Sequence, residues 1–182
     1  STALSSILGM KVNISTPTVN VMDSGNFEYK NLIPAVGVKI NYIEGLSGAN
    51  FLIMKQSDVK IIVDIMMGGT GQNTDGEFTE IHTSATCEVM NQMMGASSTA
   101  LASFFDRKIN ISTPEGDTLE ENTDLTDLFN PSGTIVLVKL KLNIGNYIDS
   151  EMVSVMPINF AKELSGYLLE KTISAKPVSR PQ

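Results

Sequence analysis

Ser84, Glu88 and Asn91 stand four and then three residues apart. In a helix of about 3.6 residues per turn this spacing sets all three on one stripe, with Gly95 one turn further on. A carboxylate on such a stripe can hold a cation or a lysine. A neutral carboxamide beside it can both donate and accept hydrogen bonds, and so orient a water. The pair alone carries little weight, because Glu and Asn three residues apart are common on solvated helices. Gly95 costs about 1 kcal/mol relative to Ala inside a helix. Its plain structural explanation is close approach of another element to Gly95-Ala96-Ser97-Ser98.

Other groups fail sooner. Gly68-Gly69-Thr70-Gly71-Gln72 is glycine-rich, but no Lys-Ser/Thr follows and no strand directly precedes it. A helix C-cap and surface turn is expected there, not a phosphate-cradling loop. His82 is the only histidine. It lacks companion Cys or His ligands and a triad to join, so no metal site is expected. Glu115 in Pro114-Glu115-Gly116-Asp117, with the acidic run Glu120 to Asp124, is expected in a solvated loop.

The element that must position the stripe is a long helix from an N-cap at Thr79 to about Phe105. Glu80 sits in its first turn, where the helix dipole favours negative charge. Cys87, Met90, Met93, Met94, Leu101, Phe104 and Phe105 gather on the side expected to face a core. The polar stripe lies about a third of a turn away from them and is expected to face solvent.

This helix leads into the second copy of a repeated unit. Ser1–Pro17 (STALSSILGMKVNISTP) and Ser98–Pro114 (STALASFFDRKINISTP) share 11 of 17 residues without a gap, at an offset of 97. The likeness continues more weakly. Val36–Tyr42 resembles Ile135–Leu142, and Phe51–Met54 resembles Val153–Met156, each a β-rich run. The alternating Lys-Val/Ile-Asn-Ile-Ser-Thr segment predicts a half-buried strand ended by Pro17 or Pro114. Gln56-Ser57-Asp58 is expected to cap a helix that Gly68 and Gly69 close, and Asn159–Thr172 plays the matching part in the second unit. The fold class is α+β: two pseudo-twofold-related α-β-β-β-α units sharing a mostly antiparallel sheet, with long helices on its face. The units, about 1–75 and 77–175, are each too small to bury an apolar face alone and should form a single domain over 1–175. Residues 176–182, with two of the prolines, read as a linker or tail.

Composition narrows the classes of partner. The 182 residues are 42% hydrophobic and 18% charged, with a net charge of −7, one cysteine and no tryptophan. That charge disfavours nucleic acid, whose binding rests on Lys and Arg. No apolar run is long enough to span a bilayer. A single cysteine allows no internal disulfide, and a cytoplasmic location is expected. The missing initiator Met points to a segment of a longer protein.

Ser84-xxx-Glu88-xx-Asn91, followed after 22 residues by Pro114, resembles the signature of the CheC/CheX/FliY family of chemotaxis phosphatases. Val89–Gly95, Met66–Gly69 and Lys108–Ser112 carry further likeness, which extends over nearly all of residues 1–175. The resemblance implies hydrolysis of the aspartyl phosphate of the response regulator CheY as part of the flagellar motor switch. Asn91 would orient the attacking water, and Glu88 would contact the regulator's lysine. Ser84, Gly95 and Pro114 would support the motif. No cofactor is implied on this chain, and Mg²⁺ would sit on the regulator. The switch proteins FliM, FliN and FliG are implied as possible further partners, at the cytoplasmic face of the motor. The flagellar branch of the family also carries a second Glu–Asn pair. By the repeat its Asn would fall 23 positions before Pro17, upstream of Ser1, so one centre is readable here. The competing expectations are a non-catalytic rotor scaffold, like the middle domain of FliM, and a module that binds CheY without hydrolysis.

Overall fold

The computed structural model describes residues 2–121, 123 and 133–174. In chain order the elements are α1 (Thr2–Leu8), β1 (Val12–Asp23), β2 (Ala35–Glu44), β3 (Gly48–Lys55) and α2 (Gln56–Met66), then α3 (Glu80–Phe105), β4 (Asn110–Ile111), β5 (Glu115–Leu119), β6 (Thr134–Ile144), β7 (Ile148–Pro157) and α4 (Ile158–Ser174). This is the expected α+β arrangement. The tail from 176 onward lies outside the described residues.

The strands form one antiparallel sheet in the order β1-β6-β7-β3-β2-β4, with β5 also paired to β2. The order explains why neither unit stands alone. The leading strand of the first unit, β1, pairs with β6 of the second, and β4 and β5 of the second pair with β2 of the first. The units meet at β3 and β7, with Phe51 opposite Val155 and Ile53 opposite Val153.

Period-2 alternation along the strands feeds two cores. Val36, Val38, Ile40, Leu52, Met54, Leu142 and Ile144 face the helices, where Leu4, Val59, Ile62, Val89 and Met90 pack onto them. Ala35, Phe51, Ile53, Leu137, Val153 and Val155 form the core on the opposite face of the sheet. A third cluster, with Tyr42, Phe105, Ile109 and Phe160, ties the end of α3 to α4. Buried in the sheet, the Ser154 hydroxyl donates to Asn50 Oδ1 at 2.7 Å.

Three expectations about the strands and the end of the long helix need correction. Pro17 does not end the first strand: β1 continues through it to Asp23, and the register with β6 shifts between Ser15 and Thr18. A bulge on this edge strand absorbs the missing N–H, which a central strand could not do. Glu115-Gly116-Asp117 is not loop but part of β5, paired with Lys39, Val38 and Gly37 of β2. Of the acidic run beyond it, Asn122 and Asp124 lie outside the described residues. Phe104 is half exposed, at 50%, rather than core. Successive helical residues diverge by about 100°, so only Phe105 turns inward toward Tyr167.

α2 starts at Gln56, so the residues expected to cap it form its first turn and Lys55 takes the cap position, and the helix ends as the glycines dictate. Gly68, at φ 85°, closes it while Gly69 N–H donates to the Asp64 carbonyl and Gly68 N–H to the Ile65 carbonyl. That pair of bonds satisfies carbonyls the helix leaves free.

Candidate functional site

α3 has 26 residues and therefore runs about 39 Å. Thr79 caps it as expected, with a partner that sequence reasoning missed. The Thr79 N–H donates to His82 Nδ1 at 3.1 Å, and the imidazole stacks on Phe78 with ring centroids 4.9 Å apart. The lone histidine thus fixes the start of the helix. Thr86, Val89, Met90, Ser98 and Phe105 are buried, while Cys87, Met93 and Met94 are half-buried against the core.

This packing fixes the rotation of α3 about its axis. Ser84, Glu88 and Asn91 face outward, all exposed. Pro114, 23 residues beyond Asn91, lies between β4 and β5 and is buried. Ser84, Glu88, Asn91 and Pro114 nevertheless border one open cavity of about 330 Å³, whose remaining walls are Thr83, Cys87, Thr113 and Gly116. Four residues matched by spacing alone are therefore neighbours in space. Gly95, the fifth, continues the stripe beyond the cavity.

Two of the wall residues set its width. A Cβ on Gly116 would stand 2.6 Å from Cys87 Sγ and 3.1 Å from Thr83 Cγ2. β5 can approach α3 this closely only because position 116 carries no side chain. Burial pushes the Cys87 thiol above its usual range, so the wall it forms is uncharged at neutral pH.

The two polar groups differ in how they are held. Gln92 Nε2 donates to Glu88 Oε1 at 2.7 Å, which steadies the carboxylate and leaves its second oxygen without a partner among the described residues. The Asn91 carboxamide has no hydrogen-bond partner among the described residues. Both its donor and its acceptor are available to something outside the chain. Among the described residues no group of three or more His, Cys, Asp or Glu is placed to hold a metal ion. No described helix is long and apolar enough to cross a membrane.

A sheet shared by two exchanged units, with a long helix carrying the polar stripe, defines a class. Residues 1–172 match the family model described as flagellar motor switch protein FliM, and the chain belongs to that family. Two FliY proteins are more similar to it in sequence than a FliM middle domain is. The chain is 40% identical over 169 residues to the flagellar motor switch phosphatase FliY of Bacillus subtilis (strain 168), an alignment that covers 92% of this chain and 45% of that protein. It thus spans about 45% of the length of the curated relative. The crystal structure of Thermotoga maritima FliY superposes with a TM-score of 0.83 at 34% identity, covering 93% of this chain and 88% of that one. The FliM middle domain from H. pylori shares the fold, with a TM-score of 0.67 at 16% identity over 92% of this chain and 88% of that one.

Proposed function

We propose that this chain is a phosphatase that hydrolyses the aspartyl phosphate of the response regulator CheY at the flagellar motor switch. The observation that carries the reading is the convergence of Ser84, Glu88, Asn91 and Pro114 on one open cavity beside an unpartnered carboxamide. The name of the B. subtilis relative, a motor switch phosphatase, supports it.

An exposed helical ridge is poorly shaped to enclose a small molecule, since ligand pockets bury most of what they bind. It is well shaped to enter a recessed site on another protein. An acyl phosphate is already reactive, and the regulator supplies its own Mg²⁺ and lysine. What remains is to hold a water in line with the phosphorus, and positioning is a large part of phosphoryl-transfer catalysis. The Asn91 carboxamide can do this without repelling the phosphoryl oxygens, as a carboxylate would. The free oxygen of Glu88 pairs with the regulator's lysine and sets the docking. Ser84 and Pro114 shape the ridge and its flank.

Family membership favours one other reading, a non-catalytic rotor scaffold in contact with FliM, FliN or FliG. Either role is set at the cytoplasmic face of the motor. Phosphate release from phosphorylated CheY separates them. The phosphatase accelerates it, and Glu88→Ala weakens docking by about 2 kcal/mol or more, a KM roughly 30-fold higher. A scaffold leaves the rate at that of CheY alone.

A further inference from the structure

Gly95 has no structural reason to be glycine. It lies in the interior of α3 with an ordinary helical backbone and no positive φ. Outside its own stretch of helix, a Cβ placed on it would meet no atom of the described residues within 4 Å. The close-packing explanation suggested by the sequence is therefore wrong for this chain's own contacts. Ala would fit there and would favour the helix by about 1 kcal/mol.

Its position on the helix supplies a reason. The helix-face neighbours of Asn91 are Cys87 and Glu88 one turn before it and Met94 and Gly95 one turn after. Cys87 and Met94 turn toward the core. Glu88 and Gly95 remain on the outer side, and only Glu88 carries a side chain. Asn is short, so its carboxamide reaches a recessed phosphoryl group only if the partner's rim comes close to the helix backbone. A specific protein interface covers about 800 Å² per partner, a patch far wider than one helical turn. Gly95 lies about 6 Å along the axis from Asn91, inside any such footprint centred on the carboxamide.

We propose that Gly95 is a specificity-determining residue of the docking ridge: its missing side chain lets the rim of the response regulator's phosphorylation site seat against α3, so that Asn91 reaches the aspartyl phosphate. The inference rests on the phosphatase reading above. Gly95 touches no reacting atom and acts by admitting the partner.

The test compares the parent chain with Gly95→Ala, Gly95→Leu and Gly166→Ala, using phosphorylated CheY as substrate. Gly166 is the control, a glycine in α4 with equally open surroundings and no place on the ridge. Thermal midpoint, KM and kcat are measured for each. The expected result is that no Gly95 variant melts below the parent, while KM rises at least 10-fold in Gly95→Leu and less in Gly95→Ala. Gly166→Ala keeps the parent's KM. An active parent with an unchanged KM in Gly95→Leu overturns the inference and leaves the phosphatase reading intact. A lower melting point in both Gly95 variants also overturns it, since the residue would then serve internal packing. A parent with no activity removes the phosphatase reading, and this inference falls with it.

Discussion

Cys87 and Gly116 touch across the seam between α3 and β5, so closely that a Cβ at 116 would stand 2.6 Å from the cysteine sulfur. The contact joins the helix that carries Glu88 and Asn91 to the strand that follows Pro114. It therefore fixes how far the polar ridge stands from its buried flank. Elements held this tightly transmit a small change in volume directly to the site, because protein interiors are packed like crystals.

Adding a methyl at that seam should be felt as overpacking. Gly116→Ala is expected to lose about 1–3 kcal/mol of stability. Removing the sulfur in the double variant Gly116→Ala/Cys87→Ala should restore much of that loss. Urea unfolding of the four proteins forms a double-mutant cycle. Strictly additive losses would mean that the two residues do not press on each other.

Cys87 is the only cysteine, so its modification is read without ambiguity. Burial raises its pKa, which leaves the reactive thiolate scarcer at neutral pH than in an open peptide. Iodoacetamide should label it slowly at neutral pH and faster as pH passes above the ordinary thiol range. Because the sulfur lines the cavity, labelling should suppress phosphate release in step with its extent. Labelling at the free-peptide rate, or full activity after complete labelling, would contradict the geometry.

Asp58 offers a pH dependence away from the site. It stands in the first turn of α2 and is only 7% exposed. Burial raises its pKa, and the Ser150 hydroxyl, which makes no well-aligned hydrogen bond, and Lys55 only partly oppose the shift. A raised folded-state pKa means that the native chain keeps the proton to higher pH than the unfolded chain. The stability it contributes is full below the unfolded pKa and is lost as pH rises through the folded one. Asp58→Asn should therefore flatten the fall in stability as pH rises from the ordinary carboxylate pKa through the raised one, as urea unfolding across that window would show. An unchanged slope would refute the assignment.

How much of this could be read from the residues depends on the range of the forces involved. α3 was legible to within a residue at each end. Its cap, its dipole preference and its 3.6 period are local properties of Thr79, Glu80 and the apolar spacing. The outward stripe followed from the same period. The repeat made the two units legible, and the glycines at 68 and 69 marked the end of α2. What stayed hidden was set by partners distant in the chain. Pro17 reads locally as a stop, yet pairing with β6 carries the strand past it through a bulge. Glu115-Gly116-Asp117 reads as loop because its β-propensity is low, and β2 draws it into the sheet. Gly116 had one faint signal, its place two residues after Pro114. Nothing local says that Cys87 waits opposite. His82 was read for ligands rather than for a cap, since imidazole is an unusual N3 partner.

The central claim is that Asn91, unpartnered on the ridge, orients the water that attacks the aspartyl phosphate. The most direct measurement is the rate of phosphate release from phosphorylated CheY at saturating concentrations of this chain and of its Asn91→Ala variant. Losing the positioning group should lower the saturated rate about 100-fold or more, with little change in KM, since Glu88 still docks the partner. A variant that matches the parent, or a parent that leaves the rate at that of CheY alone, would contradict the account.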